Sequence, residues 1–396
     1  MPFLVPPESI DSESLILVLA FGEPSLLEAQ CVFGDAAKVT MHCEDIAVAD
    51  LAAGRRFKGY TELAGVHKVV LPLPPIDSKD FVDAIAFPEK NFNFSLSVYC
   101  SQGDQEAEYD ALSEELLSTL REAGHRKANL LRSRSGSELR SGAVVSRSAL
   151  DFVAFPLGAK LQWGVTVYVP DTEAFKERSG ERPYVTSGIS LSSRLARLLV
   201  NISGVSKGQT LLDPFCGSGT ILSEALLKGV NCVGVDRNHG GVERAKDNLE
   251  WVIAHSKRGG TAPSYSVVAG DATELRTLLG DATIDAIVSE PILLPRISSP
   301  PDIDKAKRLV RRASAIYSEA LHEMSTVLRR GGRMVLVTPS LRTAQGSEVS
   351  LSFEDLGEVG LRPYQPSRLG KHEYPLRFSH QSTRWVRRKV YVLERA

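Results

Sequence analysis

The sequence predicts an α/β protein in which an α+β region leads into a parallel α/β sheet. From residue 208 onward, short apolar runs alternate with helix-patterned segments, the signature of strands joined by crossover helices. The first run, Leu211-Leu212-Asp213, turns through Pro214, Gly217 and Gly219 before helical periodicity restarts at Thr220. That order reads as a buried strand, a tight loop and a helix N-terminus, a place to hold a small ligand against backbone N–H groups. Four successive strands or their following residues supply an acid: Asp213, Asp236, Asp271 and Glu290.

Ahead of that sheet, residues 14–20 read as a buried strand and 23–33 as a helix with Pro24 in its first turn. Residues 39–41 and 45–52 alternate less cleanly. A strand over 65–71 should stop at the proline-rich 72–75, and 81–86 suits a short helix. Residues 93–99 alternate as a half-buried strand. Leu112, Leu116, Leu117 and Leu120 place a helix over 110–123, closed by Gly124. Strands are expected at 127–132, from Val144-Val145 to Leu150, and over 161–169, where Trp163 reads as core. A polar connector over 175–182 ends at Pro183, and Leu191, Leu195, Leu198 and Leu199 share the face of a helix over 190–200. The parallel part then reads as strands at 210–213, 231–236, 264–270, 284–289 and 332–338. Helices lie between them, the last over 301–329 with Ala313, Ile316, Tyr317, Ala320 and Leu321 on one face. Residues 378–382 and 387–393 suit a terminal strand pair. The divisions expected are 1–88, 89–174, 175–207 and 208–396.

Composition is that of a globular chain of 396 residues, 43% hydrophobic and 24% charged. No apolar run approaches the ~18 residues of a membrane span, and the N-terminus lacks the basic start and apolar core of a signal peptide. Cys31, Cys43, Cys100, Cys216 and Cys232 are scattered, without a metal-type pair or disulfide framework. That pattern implies reduced thiols, a cytoplasmic protein and no bound metal. With 47 basic and 48 acidic residues the net charge is −1, so total charge does not announce nucleic acid. The distribution is more telling: Arg126, Lys127, Arg132, Arg134, Arg140 and Arg147 stand against Glu138 alone, and Arg384-Trp385-Val386-Arg387-Arg388-Lys389 lies near the C-terminus. Such patches hold phosphates; a solvated face is the alternative.

In an open parallel sheet, ligands sit beyond the carboxyl ends of the strands. One acid there is ordinarily a helix cap; four in succession behind a Gly-x-Gly turn point to a site. Asp213 disfavours a phosphate, and no Lys follows the glycines as a phosphate loop requires. A dinucleotide is disfavoured because the third glycine of its fingerprint is absent. Asp236, about 23 residues after Asp213, suits a ribose diol, and Asp271 an adenine amine. Asp213 and the turn suit the ammonium of an amino acid. Together these groups specify S-adenosylmethionine. The cofactor set expected is Asp213, Cys216, Gly217, Gly219, Thr220, Asp236, Arg237, Asp271, Ala272 and Glu290. His239 and His255 read as surface residues, and Cys216 has no neighbouring base that would make it a nucleophile.

The run Asp213-Pro214-Phe215-Cys216-Gly217-Ser218-Gly219-Thr220 resembles the first motif of the THUMP-associated RNA methyltransferases. The linker over 172–183, the helix with Leu195-Ala196-Arg197 and Leu199-Val200-Asn201, and Ser382-Thr383-Arg384 resemble the same family. The resemblance implies a Rossmann-like class I methyltransferase domain behind a ferredoxin-like unit (1–88) and a THUMP-like RNA-binding domain (89–174). It implies methylation of the exocyclic N2 of a guanosine in tRNA and leaves room for a small activating protein subunit. On this reading Arg126, Lys127, Arg132, Arg134, Arg140 and Arg384 grip RNA, while Glu290 and Pro291 orient the target amine. The family's fourth motif has Asp or Asn, two prolines and an aromatic; here it is Ser289-Glu290-Pro291-Ile292-Leu293-Leu294-Pro295. Glu displaces the carboxylate by one methylene, and loss of the ring removes a stacking platform worth about 1–3 kcal/mol. Leu293 or Leu294 would offer an apolar wall, and Tyr364 or Tyr374 a ring from elsewhere. Two alternatives stand beside this reading: an RNA-binding relative that no longer transfers, and an amino-methylating DNA enzyme.

Overall fold

The computed structural model describes residues 13–52, 59–85, 87, 92–100, 103–132, 150–185, 191–256, 263–280, 283–291, 297, 299–353, 355–366, 373–378 and 385–396. The chain divides into two units, Met1–Glu173 and Ala174–Ala396.

In the first unit, the continuous apolar run Ser14–Leu19 forms a central strand, β1, followed by helix α1 (Glu23–Phe33). Strands β2 (Ala37–Cys43), β3 (Ile46–Leu51) and β4 (Val66–Leu73) come next, then the short α2 (Asp80–Asp83). Strand β5 (Asn93–Val98), helix α3 (Gln105–Glu122), β6 (Asn129–Leu130), β7 (Leu150–Leu157) and β8 (Lys160–Tyr168) complete the unit. All eight strands form one sheet, in the order β2-β3-β1-β4-β8-β7-β5-β6. Segments 1–88 and 89–174 therefore share a sheet through the antiparallel β4–β8 pairing.

Strand β4 does not stop at Pro72 but runs to Leu73, with Pro72 opposite Gly164. The sheet is tight there: a Cβ on Gly164 would lie 2.5 Å from Val70 Cγ1 and 2.8 Å from the Leu71 carbonyl. Helix α3 starts ahead of the expected position because the Asp104 side chain caps it, accepting from the N–H groups of Glu106 and Ala107. The core gathers Phe81, Phe94, Phe152 and Trp163. Through the same sheet runs a fully buried ion pair, Lys68 Nζ to Asp151 Oδ2 at 2.9 Å. Asp151 also accepts from Ser95 (2.7 Å), Ser97 (3.3 Å) and Thr166 (2.6 Å).

Cys43 and Cys100 form a disulfide across 57 residues, which corrects the expectation of five reduced thiols and removes the cysteine argument for a cytoplasmic setting. Cys31, Cys216 and Cys232 are not disulfide-bonded.

Helix α4 (Thr172–Gly180) replaces the expected polar connector, and α5 (Ser193–Ile202) follows, capped by the Ser192 hydroxyl. The alternating part comprises β9 (Thr210–Asp213), α6 (Thr220–Lys228), β10 (Asn231–Asp236), α7 (His239–His255), β11 (Tyr265–Ala269), α8 (Leu275–Leu279) and β12 (Ile284–Ser289). It ends with α9 (Ile303–Val327), β13 (Leu328–Arg342), β14 (Glu348–Ser350), β15 (Leu361–Pro363), β16 (Leu376–Arg377) and β17 (Val386–Arg395). The main sheet order is β11-β10-β9-β12-β13-β17-β15, with β14 beside β13 and β16 beside β17. Strands β9 to β13 are parallel, and β17 is antiparallel along β13 from Arg333↔Glu394 to Leu341↔Val386. Buried Leu212, Val235, Ile287, Met324 and Leu336 fill the space between sheet and helices. Strand β16 lies just before the expected strand over 378–382, of which 379–382 fall outside the described residues. Among the described residues no helix is long and apolar enough to cross a membrane.

Candidate active site

The site is built on the turn after β9. Gly217 and Gly219 take left-handed backbone angles, φ +52° and +75°, which other residues adopt only under strain. Gly219 also packs closely, since a Cβ there would lie 3.3 Å from that of Ala245. Neighbouring strand β10 fastens the turn: the Cys216 N–H donates to the Val235 carbonyl (3.0 Å), and the Gly217 N–H to Asp236 Oδ2 (2.9 Å). Asp236 Oδ1 accepts from the Asn238 N–H at 2.8 Å. A Cβ on Gly241 would come within 3.0 Å of this carboxyl. The Asp236 carboxylate is thus locked at the strand end by two backbone donors.

Beyond the strand ends lies a cavity of about 320 Å3. Every residue of the expected cofactor set except Gly219 lines it; Pro291 does not. Apolar walls outside the expected set include Leu191, Phe215, Ile221 and Ile316. Ile316 was counted with a buried helix face, but it lies at that stripe's edge and is 38% exposed beside the cavity. Cys216 is buried, its sulfur against Gly234, and burial pushes the thiol up, so it fills space rather than attacks. Thr220 Oγ1 accepts from Arg182 at 2.9 Å.

The acids differ in how they are satisfied. Asp213 is 2% exposed and accepts from the Ser289 hydroxyl (2.6 Å) and the Phe215 N–H (3.2 Å). Burial pushes its carboxyl up to about 7, with Asp236 and Glu290 adding repulsion. Asp271 is the opposite case: Oδ1 accepts from the Thr273 N–H (3.0 Å) and hydroxyl (2.9 Å), which hold the carboxyl below its usual range. Glu290 is gripped by Arg388, with Nε 2.5 Å from Oε1 and Nη2 3.4 Å from Oε2. Burial pushes the Glu290 carboxyl up and Arg388 pulls it partly back. Arg388 is a neighbour of the cavity carboxylate that sequence reasoning placed elsewhere.

Neither tyrosine proposed to replace the missing ring lines the cavity. The Arg333 guanidinium lies 3.9 Å from the centre of the Tyr364 ring, and the Tyr374 hydroxyl donates to the Tyr364 carbonyl. Residues 292–296 lie outside the described residues. Phe215 is the ring at this cavity. Within the C-terminal basic run, Arg388 pairs with Glu290 and Lys389 with Glu348 (3.1 Å). Arg126 and Lys127 are exposed, whereas Arg132 pairs with Asp110 (2.9 Å) and lies over the Tyr109 ring. Arg134, Arg140 and Arg384 fall outside the described residues.

Two contacts brace the turn from behind. Buried Glu224 on α6 accepts from Arg178 (2.6 Å) and Arg197 (3.1 Å). Asn248 on α7 accepts the Tyr184 N–H through Oδ1, and its Nδ2 donates to the carbonyls of Tyr184 and Ser218.

The donor set fits S-adenosylmethionine. At Gly217 the absent Cβ faces open space on the cavity wall, so a ligand can reach the backbone. Asp213 offers an acceptor for an ammonium, Asp236 for a diol and Asp271 for an amine.

Residues 180–347 match the UPF0020 family, an RMKL-like methyltransferase domain. The chain is 36% identical over 162 residues to the tRNA (guanine(10)-N2)-dimethyltransferase of Methanothermobacter thermautotrophicus, covering 41% of this chain and 42% of that protein. It is 30% identical over 217 residues to the protein of the same name from Pyrococcus abyssi, covering 55% and 59%. The chain thus spans about half the length of these curated relatives. Crystalline TrmN from Thermus thermophilus shares the fold, with a TM-score of 0.51 at 17% identity over 97% of this chain and 100% of that one.

Proposed function

We propose, from the match of residues 180–347 to the RMKL-like methyltransferase domain family, a cytoplasmic S-adenosylmethionine-dependent enzyme that methylates the exocyclic N2 of a guanosine in tRNA. The observation that carries this reading is Asp213. Its carboxyl is 2% exposed at a cavity wall and has only neutral donors among the described residues. Such a group calls for a cation from the ligand, and the cofactor's amino group is one. Asp236 and Asp271 would take the ribose diol and the adenine amine, with the Gly217 backbone beside them. When bound, the cofactor supplies a methyl group on a positively charged sulfur, a leaving group that needs little acid or base assistance. What the protein adds is alignment and exclusion of water.

Glu290 is proposed to accept a hydrogen bond from the target amine, aiming its lone pair, with Pro291 restricting the backbone beside it. The names of the two curated relatives support guanosine N2 as the target. The segments 1–88 and 89–174 are proposed as the ferredoxin-like and THUMP-like RNA-binding parts, with Arg126 and Lys127 among the exposed cations of their described residues.

The test is methyl transfer to a tRNA pool with identification of the modified nucleoside, run beside Glu290→Ala. N2-methylated guanosine from the wild type and a loss of tenfold or more in the variant (about 1.4 kcal/mol in the barrier) are expected. Cofactor binding without any transfer would favour the RNA-binding relative, and transfer to DNA the amino-methylating DNA enzyme. Full activity in the variant would refute the role of Glu290.

A further inference from the structure

Glu290 follows β12 with its carboxylate on the cavity wall, and Arg388 reaches it from β17, across β13. Side chains alternate along a strand, so adjacent cations of β17 go to different partners. Lys389 meets Glu348 and Ser350, whereas Arg388 turns to the cavity carboxylate. Among the described residues, the titratable and charged groups that act on or feel Glu290 include Asp213 from β9, Tyr317 from α9 and Arg388. The Tyr317 hydroxyl is spent on the Val337 carbonyl. Arg388 is therefore the cation of this group among the described residues.

A glutamate has one more rotatable bond than the aspartate usual at such a position, so its carboxylate is harder to hold in one place. An arginine fork restores that constraint, because two N–H groups on a rigid plane meet two oxygens. Here the contact is uneven: Nε is 2.5 Å from Oε1, and Nη2 is 3.4 Å from Oε2. Oε2 keeps lone-pair capacity for another donor.

We propose that Arg388 is a positioning residue for methyl transfer: it fixes the Glu290 carboxylate as an acceptor and so selects a target that presents an amino N–H there rather than a carbonyl oxygen. This rests on the reading of the cavity as a methyl-transfer site. Burial alone would favour the protonated acid, whose O–H would compete as a donor; the guanidinium opposes that outcome.

The experiment compares the full-length wild type with Arg388→Met, Arg388→Lys and Glu290→Gln. Rates of methyl transfer to tRNA at saturating cofactor are followed against pH. The Glu290 carboxyl is titrated separately by 13C NMR of glutamate-labelled protein without RNA, assigned with E290Q. In R388M the acid limb of the rate profile and the carboxyl titration should move upward together by about one pH unit or more. On the acid side of that limb the rate should then fall about tenfold, and it should recover at higher pH. KM for tRNA and cofactor affinity should stay within about twofold, which a general loss of structure would not allow. R388K should lie between, and R388M placed on E290Q should add less than about twofold.

An unmoved limb, a loss equal at every pH, or an unchanged carboxyl titration would overturn the proposal. If R388M does not fold, R388K and its titration decide by the same criteria. A wild type that binds cofactor but methylates no guanosine would sink the functional reading, and the carboxyl titration tells that failure apart from a failure of the Arg388 contact.

Discussion

Asp151 and Asp213 are buried carboxylates, one in the sheet of each unit, with unlike surroundings. Asp151 meets the Lys68 ammonium and the hydroxyls of Ser95, Ser97 and Thr166. Asp213 meets a hydroxyl and a backbone N–H, has no cation among the described residues, and is pushed up to about 7. A buried charge is costly unless paired. The first unit pairs its carboxylate within the chain, where the network serves the fold. The second leaves that charge open on a cavity, where a ligand can complete it.

The largest expected effect breaks the first network. Lys68→Met should destabilise the protein by about 3–5 kcal/mol, because it strands Asp151 in the interior. Asp213→Asn should cost no more than ~1 kcal/mol, a typical figure for a single substitution. Chemical denaturation of the two variants checks this, and equal losses would erase the distinction between a structural and a ligand-directed carboxylate. The second effect is on binding. Asp213→Asn should weaken S-adenosylmethionine by about 2 kcal/mol or more, roughly 30-fold, as expected for loss of one partner of a buried charge pair. Titration calorimetry should find the Lys68→Met protein, where folded, within about twofold of wild type.

The smallest effect is a pH dependence, and its sign follows from Asp213. In the free protein its carboxyl titrates near 7; an ammonium beside it favours the ionised form and lowers that value in the complex. Affinity should therefore fall by up to about tenfold for each pH unit below 7. Calorimetry at pH 6 in two buffers of different ionisation heat should detect proton release on binding. Flat affinity between pH 5 and 7 would show that Asp213 does not meet the ligand's cation.

What was legible in the sequence was local. The strands ending at Asp213, Asp236 and Ser289 have the expected bounds, because an apolar run that closes on a polar residue announces itself within six residues or fewer. Features made by distant chain segments were not legible. Arg388 lies 98 residues from Glu290 and read as part of a surface run, because linear charge patterning does not show where alternate side chains of a strand point. The Cys43–Cys100 bond spans 57 residues without a framework to signal it, and the β4–β8 pairing that merges 1–88 with 89–174 is equally remote. At α3 the cue was local but masked: Asp104 is a good cap, yet the polar stretch Gln105-Glu106-Ala107-Glu108 hides the helical period.

Asn248 has a consequence of its own. Toward Tyr184 its side-chain amide behaves as a residue on an adjacent strand would, taking the N–H and giving one back to the carbonyl. The remaining amide hydrogen goes to Ser218 in the glycine turn. One side chain thus forms a single rung of ladder where no second strand exists, stitching the residues before the sheet to the turn. Aspartate has nearly the same outline, but it has no hydrogen to give and would set a carboxylate against two carbonyls. The substitution most conservative in shape would therefore keep the bond from the Tyr184 N–H and lose the two donated to carbonyls.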